Sequence, residues 1–227
     1  VFCNICESTY VKFAYYGSPK RENAKCPTCG SLERHRLIFK YLENKTSLFT
    51  ETKKKVKLLH FAPEEFFYKA FNSSDSIEYV PCDLYPEIFD VGKEEIIKKV
   101  DSTQIPYEDN SFDYILCNHV LEHIPDDSMA MSELHRVLKK GGLGIFQVPI
   151  DYDLETTYED FSITSEKERT KAFGQKDHVR WYGKDYKSKL EKLGFKVEED
   201  DYVKHFTPEE VHKLGFSPKE LLYCCTK

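Results

Sequence analysis

The chain has 227 residues, 40% of them hydrophobic and 32% charged, which suits one α/β domain with a real core plus a small satellite. Its longest apolar runs, such as Leu143–Ile150, are far too short to cross a bilayer and no signal-peptide pattern is legible, so no membrane partner is expected. The net charge of −6 is uneven: residues 1–57 carry 12 Lys+Arg against 5 Asp+Glu, and the strongly acidic remainder argues against wholesale wrapping of nucleic acid.

Four of the eight cysteines form two hooks, Cys3-x-x-Cys6 and Cys26-x-x-Cys29, with 19 residues between them. Each hook can curl so that both sulfurs point inward, and together they close a tetrahedral shell around a structural Zn²⁺ with no open position. Pro27 shapes the second turn, and Gly30 permits a left-handed backbone just after the last ligand. A four-sulfur iron site has the same spacing and stays open as an alternative. Phe13, Tyr15 and Tyr16 are expected to pack a miniature core between the hooks, making residues 1–31 a zinc knuckle. Cys82, Cys117, Cys224 and Cys225 fall in apolar runs, where a thiol acts as a small hydrophobe; a reducing, cytoplasmic setting is the expectation.

Ser31 reads as the N-cap of a helix presenting Leu32, Leu37, Ile38, Tyr41 and Leu42 on one face, within a linking segment 32–55. His35, between Arg34 and Arg36, is expected in solvent. From residue 56 short apolar strands alternate with helical stretches, the pattern of a doubly wound, mostly parallel sheet. Strands are expected at Val56–Phe61, Ile77–Cys82, Val100–Asp101, Phe112–Cys117, Gly142–Val148, Phe195–Val203 and Leu221–Cys225, with one strand of the final hairpin antiparallel. Helices are expected at Pro63–Phe71, Glu94–Lys99, Asn118–His123, Asp127–Leu138 (ended by Gly141-Gly142) and Lys184–Leu193.

The run Asp101-Ser102-Thr103-Gln104-Ile105-Pro106-Tyr107-Glu108-Asp109-Asn110-Ser111-Phe112-Asp113 carries an acid, a short turn and a Ser-Phe-Asp before a strand. Asn118-His119-Val120-Leu121-Glu122-His123 and Glu133-Leu134-His135-Arg136-Val137-Leu138-Lys139-Lys140-Gly141-Gly142 follow in order. Together they resemble the signature of class I S-adenosylmethionine-dependent methyltransferases of the type 11 kind. The resemblance implies a seven-stranded Rossmann-like fold over 56–227, with S-adenosylmethionine outside the carboxyl ends of the strands. Asp83, ending the second strand, would accept the ribose hydroxyls. By the family pattern Asp101 and the Ser102 backbone would hold the adenine, and Asn118 would line the methionine end. The first loop departs from that pattern, reading Phe61-Ala62-Pro63-Glu64 where glycines are expected. Ala62 keeps the path open, Pro63 removes a donor and Glu64 adds a charge. That charge either grips the cofactor's amino group or marks weak binding or lost activity.

His119, Glu122 and His123 would share one helical face, and their spacing resembles the Glu-x-x-Glu-His metal motif of ubiquinone-pathway and small-RNA O-methyltransferases, with His119 in place of the first Glu. A second divalent metal there is the less favoured reading; the favoured one has Leu121 and Ile124 anchoring the helix. The polar segment 151–183 sits where family members carry a substrate lid. Within it His178, beside Asp177, is the expected general base, with Arg180, Trp181 and Tyr182 gripping an anionic or sugar-like acceptor; the alternative has Trp181 and Tyr182 pinning the lid and Asp177 capping a turn. The resemblance implies methyl transfer to a hydroxyl or amine of a small molecule or glycan. RNA methylation through the knuckle and a non-catalytic binding module on a degenerate scaffold are the alternatives; the oligomeric state is open.

Overall fold

The computed structural model describes residues 1–17, 19–50, 54–89 and 97–227. In chain order it has β1 (Ala14–Tyr16), β2 (Arg21–Lys25), α1 (Glu33–Lys45), β3 (Val56–Phe61), α2 (Glu65–Asn72), β4 (Ile77–Asp83) and β5 (Lys98–Lys99). There follow β6 (Phe112–Asn118), α3 (Asp127–Val137), β7 (Leu138–Gln147), β8 (Tyr158–Glu159), α4 (Glu166–Phe173), β9 (Arg180–Trp181), α5 (Tyr186–Lys192), β10 (Lys196–Asp200), α6 (Pro208–Leu214) and β11 (Leu222–Thr226). Two compact units emerge: residues 1–56, 63–79 and 200–222, and residues 57–62, 80–199 and 223–227. Among the described residues no helix is long and apolar enough to cross a membrane.

In the first unit β1 and β2 form an antiparallel hairpin between the two cysteine hooks. Phe13 is buried against Cys3 and Cys26 as expected, but Tyr15 and Tyr16 are 59% and 43% exposed. The short β1 pairs only with β2 and every one of its residues is exposed, so the two rings stay in water beneath Lys20, Arg21 and Lys25. The N-cap of α1 is Leu32 rather than Ser31. His35 is buried, not solvated: its Nδ1 accepts from the Leu32 N–H at 3.1 Å and its Nε2 lies 3.3 Å from Glu64. Phe66, Phe67 and Phe71 of α2 bury their rings and Phe67 meets His35 and Phe39, each such burial contributing about 1.5–3 kcal/mol.

Arg36 is wholly buried and satisfied by carbonyls. Its Nε donates to Leu214, Nη1 to Ser31, and Nη2 to Ala24 and Gly215, at 2.7–2.9 Å. One guanidinium thereby ties β2, the residue pair before α1 and the C-terminal end of α6 together, which is how a buried charge becomes tolerable. Gly215 is required there: its φ is +60°, and a Cβ would stand 2.9 Å from Arg36 Nη2 and 2.7 Å from Phe13.

The second unit is built on a seven-stranded sheet in the order β10-β11-β7-β6-β3-β4-β5. β3 pairs parallel with β6 (Leu58↔Tyr114, Phe61↔Cys117), β6 parallel with β7, and β4 parallel with β5, whereas β11 runs antiparallel to β7 as the final-hairpin expectation required. Ile115, Leu116 and Cys117 are all buried, the mark of a strand covered on both faces. Strand order reverses between β3 and β6, so a crevice opens at their carboxyl ends.

Several expected boundaries move. The strand expected at Val100–Asp101 is Lys98–Lys99, so the expected helix Glu94–Lys99 ends in a strand; its residues 94–96 lie outside the described residues. α3 stops at Val137, and Gly141-Gly142 lie inside β7 at a bulge that pairs Phe112 with Leu138 but Tyr114 with Leu143. No α-helix spans Asn118–His123: Asn118 completes β6, His119 turns the chain at φ +55°, and only a 3₁₀ turn covers Leu121–His123. The segment 151–183 is folded, with β8 antiparallel to β9 and α4 between them.

Candidate functional site

The four hook cysteines converge in the first unit. Cys3 and Cys29 sulfurs lie 3.7 Å apart, Cys6 and Cys26 3.6 Å apart, and all four fall within 4.8 Å of one another. These are not disulfide distances. A tetrahedral thiolate shell with metal–sulfur bonds of about 2.3 Å has edges of about 3.8 Å, so the donor set fits zinc. The Gly30 N–H donates to Cys26 O at 3.0 Å from φ +77°, curling the second hook. The hydrogen bond between Cys3 and Cys29 pushes the Cys3 thiol down to about 4 and raises Cys29, while Ser31 Oγ stands 3.3 and 3.2 Å from the two sulfurs. Within this pair the thiolate charge therefore falls on Cys3, while Cys29 keeps its proton.

In the second unit a pocket of about 730 Å³ opens at the carboxyl ends of the strands. Phe61 and Ala62 reach it from β3, Asp83 from β4, Asp101 and Ser102 from beyond β5, and His119 from β6. Ala62 occupies φ +49° and donates its N–H to Cys82 O at 2.9 Å, so the position where a glycine was expected keeps a glycine-like backbone. Burial raises the Asp83 carboxyl above the usual aspartate value, against the Tyr85 N–H that it accepts at 2.7 Å. Asp101 accepts both the N–H and the hydroxyl of Thr103. Asn118 is buried, and neither its amide oxygen nor its nitrogen has a partner among the described residues. Leu84, Tyr85 and Ile88, exposed apolar residues beside this cavity, were missed by sequence reasoning; their placement directly after the strand-ending Asp83 was the available signal.

Pro63 and Glu64 belong to the first unit, where Glu64 is the N-cap of α2 and pairs with His35 rather than standing free for a ligand. His123 lines the pocket with its Nδ1 near the carbonyl and carboxylate of Asp177, at 3.3 and 3.4 Å. His178 is buried and absent from the pocket wall; its Nδ1 faces Phe173 O at 3.2 Å, and burial lowers its pKa. Glu122 is 1% exposed, with Oε1 3.1 Å from His119 Nδ1 and 4.0 Å from His178 Nε2. Ligand-type atoms of Glu122, His123 and His178 lie within 4.8 Å of one another, so His178 rather than His119 completes the cluster.

Arg180 and Tyr182 do not face an acceptor. Arg180 is buried and donates to the carbonyls of Leu121, Ile124 and Pro125 and to Glu159, and the Tyr182 hydroxyl donates to Asp127 at 2.7 Å. Both pin β9 to the turn that follows β6. The reason is that four of the five guanidinium N–H groups are taken up by these protein acceptors and the side chain is buried, so it is committed to the fold rather than to a ligand.

Comparison with known proteins fits this architecture. Residues 65–146 match the family model described as a methyltransferase domain. A demethylmenaquinone methyltransferase from Staphylococcus aureus (strain JH9) is 40% identical over 73 residues, which is 29% of this chain and 30% of the relative's length. A S-adenosylmethionine-dependent methyltransferase from Mesorhizobium loti superposes with a TM-score of 0.55 at 12% identity, covering 84% of this chain and 98% of its own. The [4+2]-cyclase SpnF also gives a TM-score of 0.55 at 12% identity, over 96% of this chain and 88% of its own. The fold is therefore that of the Rossmann-like methyltransferases, and the family model matches residues 65–146 of the chain.

Proposed function

We propose that the chain transfers a methyl group from S-adenosylmethionine to a hydroxyl or amine of a small-molecule or glycan acceptor. The observation that carries this reading is the pocket at the sheet's switch point. Asp83 and Asp101 stand at its wall beside the open Ala62 turn, and the buried Asn118 amide at the end of β6 has no partner among the described residues. Among the described residues the wall includes Asp83, Asp101, Asp126 and Asp177 but no lysine or arginine, a field that suits a cationic sulfonium. Asp83 would accept the ribose hydroxyls, Asp101 and the Ser102 backbone would take the adenine, and Asn118 would meet the methionine end. When bound, the sulfonium supplies an activated methyl group. The chain's own residues align the acceptor with it and receive the acceptor's proton.

Cys3, Cys6, Cys26 and Cys29 would hold a structural Zn²⁺ that lets the small hairpin module fold. Calorimetry with S-adenosylmethionine on the zinc-loaded chain tests the cofactor reading: saturable heat at one equivalent is expected, and none at millimolar cofactor would sink it. Labelled methyl transfer to a panel of hydroxyl and amine acceptors then tests the reaction.

One observation favours RNA as acceptor. Tyr15 and Tyr16 stand exposed on the hairpin with Lys20, Arg21 and Lys25 over their rings, a surface on which bases could stack. Binding of single-stranded RNA that weakens steeply with salt and is lost in Tyr15→Ala with Tyr16→Ala would support that acceptor.

A further inference from the structure

His119 occupies an uncommon position. It is the first residue past β6, it lines the pocket, and its backbone is held at φ +55° by an N–H donated to Gln147 O at 2.7 Å. Gln147 is itself fixed, accepting the Tyr223 N–H at 2.8 Å through its side chain. A non-glycine residue in the left-handed region costs about 1 kcal/mol or more, and such strain gathers where a side chain must be aimed. The side chain so aimed is 30% exposed, and its Nδ1 meets Oε1 of the buried Glu122 at 3.1 Å. Among the described residues no Lys or Arg side chain is paired with Glu122; its neighbours are imidazoles, His119 on one side and His178 at 4.0 Å on the other.

We propose that Glu122 and His119 form a buried-carboxylate–histidine dyad in which His119 is the general base facing the acceptor and Glu122 is its positioning residue. The proposal rests on the methyl-transfer reading. Donation of the Nδ1 proton to Glu122 fixes one tautomer and leaves the Nε2 lone pair for the pocket. His119 Nε2 takes the acceptor hydroxyl's proton as the oxygen–methyl bond forms and the carbon–sulfur bond breaks, its electron pair remaining on a neutral sulfur. The positive charge ends on the imidazolium, against the Glu122 carboxylate. His178, expected from sequence to be the base, is closed off from the pocket and borders Glu122 from behind. Beside Glu122 stand His123 and His178, whose ring nitrogens lie within 4.8 Å of its carboxylate, and of the two His123, with Asp177 next to it, reaches the pocket wall.

The first test needs no turnover. Nitrogen-15 spectra of the zinc-loaded full chain are expected to show the neutral His119 ring protonated at Nδ1, and Glu122→Gln should redistribute that proton while His212, far along the sequence in α6, stays unchanged. A ring protonated at Nε2 in the unaltered chain overturns the dyad. The second test reads catalysis with phenol and 4-nitrophenol as acceptor probes. His119→Asn, a residue that tolerates the left-handed turn, should lower turnover of phenol about 100-fold or more with cofactor affinity kept. Glu122→Gln should lower it by roughly tenfold or more. Both losses should shrink for 4-nitrophenol, a far stronger acid that is already partly ionised at neutral pH and so depends much less on a base. Equal losses for both phenols, or loss in His178→Gln with His119→Asn unaffected, would overturn the proposal. Cofactor that binds without any transfer to either probe, with the Nδ1 tautomer present, would count against the reaction reading and not against the dyad geometry.

Discussion

Ala62 donates its backbone N–H to the carbonyl of Cys82 at 2.9 Å while its own φ is +49°, so the turn after β3 carries a Cβ in a backbone shape made for glycine. The left-handed region costs an L-residue about 1–2 kcal/mol, partly offset by the greater entropy glycine loses on folding. Ala62→Gly is therefore expected to stabilise the chain by roughly 0.5–1 kcal/mol, a rise of about 1–4 °C in a protein of this size. Scanning calorimetry checks the sign. A fall in midpoint would mean that the alanine methyl packs better than its backbone suffers.

Asp83 gives a prediction in which stability and function separate. Burial raises its folded pKa above the unfolded value, so the ionised group weighs against folding. The penalty is absent below the unfolded pKa, grows as pH rises through the folded pKa, and is fully present at neutrality. Asp83→Asn removes the charge and keeps an oxygen for the Tyr85 N–H, so the cofactor-free chain should melt higher at pH 7 and differ little at pH 3. The same change should cost most of the affinity for S-adenosylmethionine. Unaltered affinity would remove Asp83 from the binding site.

How much of this was legible depended on whether the signal was local. Cys3, Cys6, Cys26 and Cys29 announce a thiolate shell by spacing alone, and Asp83 and Asp101 mark strand ends because apolar runs stop at them. His119 was misread because i, i+3, i+4 spacing looks helical, whereas Gln147 on the neighbouring strand captures its N–H and turns the chain. His35, flanked by Arg34 and Arg36, read as a solvated helix residue, and nothing local marked Arg36 for burial. Their burial depends on Glu64, Leu214 and Gly215, which no window around α1 contains.

The zinc proposed for Cys3, Cys6, Cys26 and Cys29 should be what holds the hairpin module together. Hook sulfurs 3.6 and 3.7 Å apart, with Phe13 as the one large apolar side chain fully buried among the described residues of 1–31, leave little apolar burial to hold this segment without a cation. Structural zinc supplies about 10–16 kcal/mol of apparent binding free energy in comparable small modules. Chelation, or Cys26→Ser, should release one equivalent of zinc and speed amide exchange across β1 and β2 by orders of magnitude. Exchange that stays slow after mass spectrometry has shown the metal gone would assign these cysteines another role.

Arg180 is the sharpest case of a residue whose chemistry suggests ligand binding and whose surroundings forbid it. Its guanidinium is spent on the carbonyls of Leu121, Ile124 and Pro125 and on Glu159 at 3.0 Å, with Asp127 at 3.6 Å. Arg180→Met would fill the space yet leave those carbonyls unpaired and the buried Asp127 with Lys189 alone as cation, at 3.2 Å. Breaking a buried pair this way costs about 3–5 kcal/mol, or roughly 6–20 °C in midpoint. Arg180→Lys, which keeps the charge but not the planar fork, should fall between the two. If the Met variant melts within a degree of the parent and changes only the choice of acceptor, Arg180 is a ligand contact after all. A large drop with acceptor preference intact fixes it as the clamp that holds β9 against the turn carrying Glu122.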